Sequence, residues 1–429
     1  MSSQEGLRSA AWSGGDDLAA ESVAAIVAEG LTGTAQPRGR VAVLIPDATR
    51  TVDLTVLVPA VVDLLLARDC EVDVVVALGT HQPMSDDEIG AMIGVPAPEW
   101  AARFPHTWIG NHEWYEPGCL VPVGTIAEDR VADLSGGLLS EAIPVDVNGR
   151  VASADHVVVV GPVFPHEVVG FSGGNKYLFP GVSGSHMIAR THWLGALIGS
   201  THLIGTPGVT PVRALIDEAA GLLSATRHCV AVVTGPGGRI RGVAVGTPEG
   251  AWRQASEWSA QLHVAYVDEP YDRALAVMPR MYADLWTGAK GMYKLDPVMA
   301  DGGVLTIYAP HITEFSVSHG EVLDRIGYHV VDYFLQQWER FRDEPWGILA
   351  HSTHLRGSGS YDSVAGERSR ITVVLATGIS RERCESAGLG WRDPATVDPA
   401  TFAAEADDRC LVVPHAGEQL YRLRTQDRT

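Results

Sequence analysis

The sequence predicts an α/β protein of two domains, each built on a mainly parallel sheet. With 429 residues, the chain is longer than one hydrophobic core usually supports. Short, continuous runs of β-branched residues alternate with longer segments of helical periodicity. Such runs are typical of parallel strands whose two faces are both covered by helices.

The first domain is predicted over residues 1–270. Its strands are expected at residues 41–45, 72–78, 157–160 and 229–233. Its helices are expected at residues 54–68, from Ser85 onward, and at residues 213–223. The start at Ser85 follows from the capping-box pattern Ser-Asp-Asp-Glu, in which the serine and glutamate side chains bind each other's backbone amides.

A second domain is predicted over residues 271–405, after a hinge at residues 268–272 that contains a proline and several charges. Its strands are expected at residues 274–278, 304–309 and 371–376. The apolar run at residues 410–413 is expected to return to the first domain, so residues 406–429 are assigned to that domain.

The composition excludes several classes of partner. A net charge of −20 argues against a nucleic-acid surface, because phosphate binding needs clustered lysine and arginine. The five cysteines form no Cys-x-x-Cys pair, which fits a reducing compartment. No apolar run reaches 18 residues, and the first residues do not resemble a signal peptide. We therefore expect a cytoplasmic protein that binds neither membrane nor nucleic acid.

Polar residues follow directly after three of the predicted strands. Asp47 and Arg50 follow the first strand, His81 the second and His166 the third. Ligands of open α/β sheets bind beyond the carboxyl ends of the strands, so these residues are candidates for one site. Arg50 could bind a phosphate or carboxylate, and Asp47 could orient it or cap the following helix. A helix cap and a surface arginine would explain the same residues without a site.

A glycine-rich run around Lys176 is the strongest single motif. Lys176 lies between Gly173-Gly174 and Pro180-Gly181, ten residues after His166 and sixteen before His192. Glycines allow the backbone to approach a bulky ligand, and a desolvated lysine can attack a carbonyl or thiocarbonyl carbon. Imidazoles can act as acid, base or metal ligand near neutral pH. His186 and His202 remain open as alternative ligands.

Two further motifs lie in the second half. Lys290 stands between Gly288 and Gly291, where its charge could hold an anionic cofactor or substrate. Residues 351–359 carry His351, His354 and Arg356 and are interpreted as a substrate-facing loop, with a polar connection as the alternative.

The order of these motifs resembles that of the nickel-dependent lactate racemase family. The matching motifs are Asp47-x-Thr-Arg50, Gly79-Thr80-His81, and His166-x9-Lys176 within Gly-Phe-Ser-Gly-Gly-Asn-Lys and Phe-Pro-Gly, then His192 and Lys290-Gly291. The resemblance runs from about residue 40 to 415. It implies two α/β domains with the active site in the cleft between them, and a racemase that removes and returns hydride at C2 of a 2-hydroxy acid.

The resemblance also implies a cofactor and a role for each matching residue. The cofactor is a nickel pincer nucleotide, pyridinium-3-thioamide-5-thiocarboxylic acid mononucleotide with Ni(II), which separate cofactor-synthesis proteins supply. By resemblance, Lys176 tethers it through a thioamide, His192 binds nickel, and His81 and His166 form the acid/base pair. The cofactor- and substrate-contacting positions are Asp47, Arg50, Gly173, Gly174 and Lys290.

The chain departs from the family pattern where the substrate would bind. Trp286-Thr287 stands where a tyrosine-glutamine pair is expected. Together with His351, His354 and Arg356, this pair predicts a substrate that is larger or more polar than lactate. Two other functions stay open: a metal-dependent hydrolase using His81, His166 and His192, and a non-catalytic protein that binds a sugar acid or nucleotide.

Overall fold

The computed structural model describes residues 6–33, 36–79, 81–404 and 409–424. The chain divides into two compact units. The first unit comprises Met1–Phe164, Phe171–Ile188 and Pro207–Leu262, and the second comprises Pro165–Gly170, Ala189–Thr206 and His263–Thr429. Thr80 of the Gly-Thr-His motif lies outside the described residues.

The strands and helices follow one another in α/β alternation through most of the chain. The strands are β1 Leu7–Trp12, β2 Arg40–Ile45, β3 Glu71–Val76, β4 Thr107–Asn111, β5 Leu120–Ile126, β6 Ile143–Asn148, β7 His156–Pro162, β8 Pro165–His166, β9 Gly170–Phe171, β10 Thr226–Thr234, β11 Ile240–Gly246, β12 Val264–Val267, β13 Tyr271–Val277, β14 Met299–Ala309, β15 Gly359–Asp362, β16 Gly366–Ser369, β17 Thr372–Thr377, β18 Gly390–Trp391, β19 Cys410–Val413 and β20 Leu420–Leu423. The α-helices are α1 Ala20–Gly30, α2 Leu54–Leu66, α3 Asp86–Ile93, α4 Trp100–Arg103, α5 Glu128–Ser135, α6 Gly149–Ala152, α7 Ser185–Ile198, α8 Ser200–Leu203, α9 Pro211–Gly221, α10 Pro248–His263, α11 Leu285–Gly288, α12 Lys290–Tyr293, α13 Gly320–Ile326, α14 Val331–Gln336, α15 Trp338–Phe341, α16 Trp346–Arg356, α17 Arg381–Ser386 and α18 Pro399–Ala404. Short 3-10 turns occur at Ala97–Glu99, Gly174–Tyr177, Pro236–Gly238, Asp296–Val298 and Pro394–Thr396.

The first unit is built on a sheet with the described strand order β1-β11-β10-β7-β2-β3-β4. The run from β10 to β4 is parallel, and β11 and β1 add to one edge in antiparallel orientation. The central strands carry valines, leucines and isoleucines that are fully buried on both faces. This burial confirms the prediction drawn from the continuous apolar runs. The two antiparallel edge strands were not predicted.

The second unit contains a parallel sheet with the described order β18-β17-β14-β13-β19. Here β19 pairs with β13, with Arg273 opposite Cys410. The prediction that residues 406–429 return to the first domain was therefore wrong for their described part. A four-residue apolar run specifies a strand but not the sheet edge that receives it. The predicted domain boundary also missed the short segments Pro165–Gly170 and Ala189–Thr206, which pack in the second unit.

The start of α3 was predicted correctly, whereas the buried helix α16 was predicted to be a loop. The capping box at Ser85 is present, with both reciprocal hydrogen bonds. In contrast, His351, His354 and Arg356 lie on helix α16 and not on a substrate-facing loop. The polar residues of α16 are buried with its apolar ones, so the segment lacks the polar face that marks a helix in sequence. None of the described helices is long and apolar enough to span a membrane.

Candidate functional site

In the first unit, the loops that follow β2 and β3 bring together the first pair of candidate residues. The two strands are parallel neighbours, with Ile45 opposite Val76, so their following loops lie at the same sheet edge. The His81 Nδ1 atom makes a short hydrogen bond to Oδ2 of Asp47. The other carboxylate oxygen of Asp47 accepts from the amide of Thr49 at 2.9 Å and from its hydroxyl at 2.6 Å.

These contacts fix the ionisation of Asp47 and the tautomer of His81. Burial disfavours the carboxylate, but the charge and hydrogen bond of His81, with Arg50 and Thr49, outweigh it and hold the pKa of Asp47 well below its usual range. An ionised carboxylate can only accept, so His81 Nδ1 must carry the proton. In its neutral form, His81 therefore presents an unprotonated Nε2. Asp47 does not cap the next helix, because Asp53 accepts the hydrogen bond of Thr55 N at the start of α2.

The segment that carries Lys176 lies in the same unit. We call residues 171–176 the glycine bend. Gly173 and Gly174 have φ angles of 85° and 58°, which favour glycine. Lys176 is half-buried, whereas the other residues of the bend are buried. The next residue, Tyr177, is an electrostatic neighbour of Arg50 and Asp47. The glycine bend thus leads directly to the surroundings of the Asp47–His81 pair.

Lysine is rare in this chain. Only Lys176, Lys290 and Lys294 occur among 32 basic residues, and none of the three is exposed. Lys290 is 9% exposed and its ammonium group lies 4.8 Å from the centroid of the Tyr282 ring. Lys294 donates to the carbonyl oxygen of Pro165, the residue before His166. The amines of Lys290 and Lys294 are thus placed in specific surroundings, which is unusual for a side chain that normally extends into solvent.

In the second unit, His166 has a partner for each of its protonation states. The side chain is 7% exposed, and Nδ1 accepts from the amide of Val168 at 3.1 Å. The same nitrogen lies 3.4 Å from Oε2 of Glu167. The amide favours an unprotonated Nδ1, and the carboxylate favours a protonated one. Glu167 was not predicted as a site residue, although it is adjacent to His166.

His192 lies on α7, in the part of that helix that belongs to the second unit. It is half-buried, whereas the alternatives His186 and His202 are exposed. The adjacent Trp193 stacks on Trp338 with ring centroids 5.5 Å apart. Among the described residues, no group of three or more His, Cys, Asp or Glu side chains is placed to hold a metal ion. His192 is therefore not part of a metal site built only from described protein side chains.

An aromatic cluster of the second unit contains two histidines of α16. Trp286 stacks on His351 with ring centroids 4.1 Å apart, and the hydroxyl of Tyr293 lies 3.3 Å from Nδ1 of His351. Nε2 of His351 and Nε2 of His354 are buried and have no hydrogen-bond partner among the described residues. Buried polar atoms normally have one. These two nitrogens could therefore bind a ligand.

Both imidazoles are held in the neutral form. Burial, aided by the charges of nearby histidines that include His192, lowers the pKa of His351 well below its usual value. Burial also lowers the pKa of His354 to about 4, against the opposing charge of Glu167. The influence of His192 on His351 places α16 and the end of α7 in one electrostatic environment. His319, which also packs on Trp286 and was not predicted, belongs to the same cluster.

Thr287 and Arg356, which were predicted to contact the substrate, form hydrogen bonds with other protein groups. The Thr287 hydroxyl donates to Asp284 as part of the cap of α11. Arg356 donates from Nη1 to the carbonyl of Gly388 at 2.6 Å and lies 3.4 Å from Glu367. Both side chains therefore have local structural partners.

Comparisons relate the chain to known proteins. Residues 17–202 match the family model of the lactate racemase N-terminal domain. A crystal structure of a Thermotoga maritima protein is similar over 96% of this chain and 99% of that chain, with 31% identity and a TM-score of 0.85. The lactate racemase apoprotein from Thermoanaerobacterium thermosaccharolyticum shares the fold, with 18% identity and a TM-score of 0.71 over 97% of this chain and 94% of that chain. No curated protein sequence matches the chain.

Proposed function

The chain belongs to the lactate racemase family, and we propose that it inverts the C2 stereocentre of a 2-hydroxy acid by removing and returning hydride. The observation that carries this proposal is the Asp47–His81 pair, which lies at the carboxyl ends of two parallel strands and interacts electrostatically with Tyr177, the residue after the glycine bend. A base held by a carboxylate is what removal of a hydroxyl proton needs.

The described residues fit a lysine-tethered nickel pincer nucleotide. Lys176 would form the tether, because it is a half-buried amine in a bend of two glycines with positive φ. His192 would supply one imidazole ligand to nickel, and the cofactor would supply the other ligands. When bound, the cofactor provides the hydride acceptor. We also propose that cofactor-synthesis proteins load it in the cell.

His81 and His166 would divide the proton transfers. His81 acts as a base through Nε2, because Asp47 fixes its other nitrogen in the protonated form. His166 can hold or release a proton, because Glu167 supports its charged form and Val168 N–H its neutral form. One histidine would take the proton of the substrate hydroxyl group and the other would return a proton to that oxygen, while the chemistry that the bound cofactor supplies would remove the C2 hydride and return it to C2. Each histidine would be the base for one enantiomer.

Two cations would hold the substrate carboxylate and the cofactor phosphate. Arg50 belongs to the Asp47 loop and acts on Asp47 and Tyr177 through its charge. Lys290 is buried beside Tyr282 in the second unit. In a chain of net charge −20, such locally placed cations are the means by which an anionic substrate is retained.

The substrate is proposed to carry hydroxyl groups beyond C2. The supporting observation is that Nε2 of His351 and Nε2 of His354 have no hydrogen-bond partner in the part of the chain that the structure describes. Because both imidazoles are neutral, they match hydroxyl groups better than a second carboxylate. A methyl group in their place would leave two buried polar atoms without partners, which is costly. We therefore propose a polyhydroxylated 2-hydroxy acid in preference to lactate, with Thr287 and Arg356 in supporting roles only.

The test combines mass spectrometry, metal analysis and turnover. Protein made with the cofactor pathway should carry nickel and an added mass on the Lys176 peptide, and Lys176→Arg should lose the adduct while the fold is kept. His192→Ala should keep the organic adduct but lose nickel. An adduct on Lys290 or Lys294, or bound zinc with hydrolysis, would contradict the assignment.

A panel of L- and D-2-hydroxy acids, including lactate, malate and aldonates, tests the reaction and the substrate class. We expect stereochemical exchange with little solvent deuterium at C2, because hydride returns from the cofactor. Heavy incorporation of deuterium at C2 would show that the C2 hydrogen leaves as a proton that exchanges with solvent and is not returned as hydride. Fastest turnover of lactate would contradict the proposed substrate class, and tight binding without exchange would indicate a non-catalytic protein.

A further inference from the structure

Three backbone carbonyl groups of the glycine bend are each bound by a buried side chain from a helix. Arg213 on α9 donates from Nη1 to the carbonyl of Gly173 at 3.0 Å and from Nη2 to that of Phe171. Trp252 on α10 donates from Nε1 to the carbonyl of Ser172 at 3.0 Å. The guanidinium carbon of Arg213 lies 4.3 Å from the centroid of a Trp252 ring. We call these two side chains the carbonyl clamp.

Stability alone does not explain an arginine at this position. Arg213 is 1% exposed, and its Nε has no hydrogen-bond partner among the described residues. Burial lowers the pKa of Arg213 to about 10, although the charge of Asp217 opposes the shift. A buried ionic group often stabilises a protein no more than an apolar side chain of similar volume. The directional hydrogen bonds to the bend are what distinguish arginine here.

The bend needs such external contacts because two of its residues are glycines. A Cβ atom on Gly173 would lie 2.6 Å from Cγ2 of Val163, and one on Gly174 would lie 3.0 Å from Cβ of Trp252. Close packing thus favours glycine at both positions, most strongly at Gly173, in addition to their positive φ angles. Adjacent glycines leave an unrestrained segment with many accessible conformations. The carbonyl clamp selects one of them.

Asn175, the residue directly before Lys176, is anchored separately. Its amide nitrogen donates to Asp217 at 2.9 Å and to Glu249 at 2.8 Å, and its oxygen accepts from Arg227 at 3.0 Å. Asp217 is on the same helix as Arg213, and Glu249 is on the same helix as Trp252. The two helices therefore hold the backbone and the last side chain before Lys176.

We infer that Arg213 and Trp252 are positioning residues for Lys176, because they hold the glycine bend in the one conformation from which the lysine amine meets the cofactor. The inference rests on the proposed function for the identity of the lysine's ligand. The ordering of the bend by the carbonyl clamp is independent of any cofactor. The two parts can therefore be tested separately.

The first experiment measures hydrogen exchange in protein made without cofactor. Arg213→Met keeps most of the side-chain volume but removes both donors to the bend. The amides of Leu178 and Phe179, which donate to the Asn175 carbonyl, should exchange about tenfold faster, whereas those of β2 should keep their rates. Unchanged exchange at Leu178 and Phe179 overturns the inference.

Arg150→Met is the matched control. Arg150 also lies over a tryptophan ring, 3.7 Å from the Trp108 centroid, and donates to a buried carboxylate at 3.0 Å, that of Asp73. The described hydrogen bonds do not link it to the bend. This variant loses the same kind of group within the same unit and should leave the exchange of the Leu178 and Phe179 amides unchanged.

The second experiment measures the fraction of Lys176 that carries the adduct in protein made with cofactor. Arg213→Met should lower this fraction about tenfold, and Arg213→Lys, which keeps the charge and one donor, should restore part of it. Trp252→Phe, which removes the donor to Ser172 and one ring of the indole but keeps an aromatic side chain, should give an adduct fraction between those of Arg213→Met and the wild type. A wild-type fraction in a folded Arg213→Met protein with faster exchange overturns the positioning role. If Arg213→Met does not fold, Trp252→Phe decides in its place.

The two experiments also separate this inference from the proposed function. If the wild-type protein carries no adduct on Lys176, the proposed function fails, but the exchange result still decides whether the clamp orders the bend. If the adduct is present and the exchange of the Leu178 and Phe179 amides is unchanged in Arg213→Met, only the inference fails.

Discussion

At the scale of single residues, the Asp47–His81 pair gives the sharpest prediction. Asp47→Asn removes the charge that supports protonation of His81 Nδ1 and allows the opposite tautomer, in which Nε2 carries the proton. We expect kcat/KM to fall by roughly 10²–10⁴-fold, as for other positioned acid/base groups, with the Lys176 adduct retained. Stereochemical exchange measured from both enantiomers would show the loss.

Asp53→Asn is the control for this variant. Asp53 lies in the same connection and caps α2, and asparagine is an equally good cap, so activity and stability should both be kept. Full activity of Asp47→Asn would show that Asp47 has no role in the reaction and that His81 does not need the Asp47 carboxylate to keep its Nδ1 protonated.

Candidate site residues could be predicted from their positions after strands, but the residues that they contact in the fold could not. Asp47, Arg50 and His81 could be selected because they directly follow apolar strands, and the glycines around Lys176 marked an unusual bend. The contact between Asp47 and His81 joins residues that are 34 positions apart, and it depends on β2 and β3 being neighbours. Arg213, 40 residues from the Gly173 carbonyl that it binds, looked like one more polar residue of an amphipathic helix.

At the scale of elements, the capping box of α3 can be tested directly. The Ser85 hydroxyl accepts from Glu88 N at 3.3 Å, and the Glu88 carboxylate accepts from Ser85 N at 2.8 Å. Ser85→Ala should lower the free energy of unfolding by about 1 kcal/mol, measured by urea denaturation. Ser140→Ala is the control, because Ser140 is exposed and donates to Glu128 without capping a helix, so it should change little. Equal effects of the two substitutions would contradict the role of the cap.

Helix α16 is predicted to determine substrate preference. Replacing His351 or His354 with Phe keeps an aromatic ring but removes the Nε2 atom, which has no hydrogen-bond partner among the described residues. We expect kcat/KM for a polyhydroxylated substrate to fall about 10–100-fold relative to lactate, because a substrate hydroxyl loses its hydrogen bond.

His329→Phe is the matched control for α16. His329 belongs to the same unit, stacks on Tyr333 at 3.6 Å and is bound to Glu367 at 2.7 Å. Its loss should affect stability but leave the ratio of the two kcat/KM values unchanged. A ratio unaffected by either α16 variant would show that the two histidines do not contact the substrate.

The helices and strands that could be predicted were those whose sequence pattern lies within the element itself. The central strands were recognised because they are continuous apolar runs, and α3 was recognised by its cap. Strand β19 was found but assigned to the wrong sheet, since its pairing depends on tertiary packing. Helix α16 was taken for a loop, because burial of both its polar and apolar side chains removes the amphipathic pattern on which helix prediction rests.

At the scale of the whole molecule, buried neutral histidines predict sensitivity to mild acid. His112 and His228 are both 0% exposed and belong to the first unit. Burial lowers the pKa of His112 to about 4, against the hydrogen bond to Ser183, and burial with the charges of Arg8 and His156 lowers that of His228 to about 4. A histidine in the unfolded chain has a pKa near 6.5, so the folded protein favours the neutral form of both side chains more strongly than the unfolded chain does.

The sign of the effect follows from these two values. The stabilisation is complete above about pH 6.5 and is lost as the pH falls toward 4, because the unfolded state then binds protons that the folded state does not. Between those limits each histidine should contribute a slope of about 1.4 kcal/mol per pH unit to the free energy of unfolding. His228→Gln should therefore flatten the pH dependence by about that amount between pH 6 and 5, measured by hydrogen exchange of β7 and β10 amides. His202→Gln, at an exposed position, should leave the slope unchanged. A wild-type slope in both His228→Gln and His112→Gln would show that acid acts on the fold through other groups.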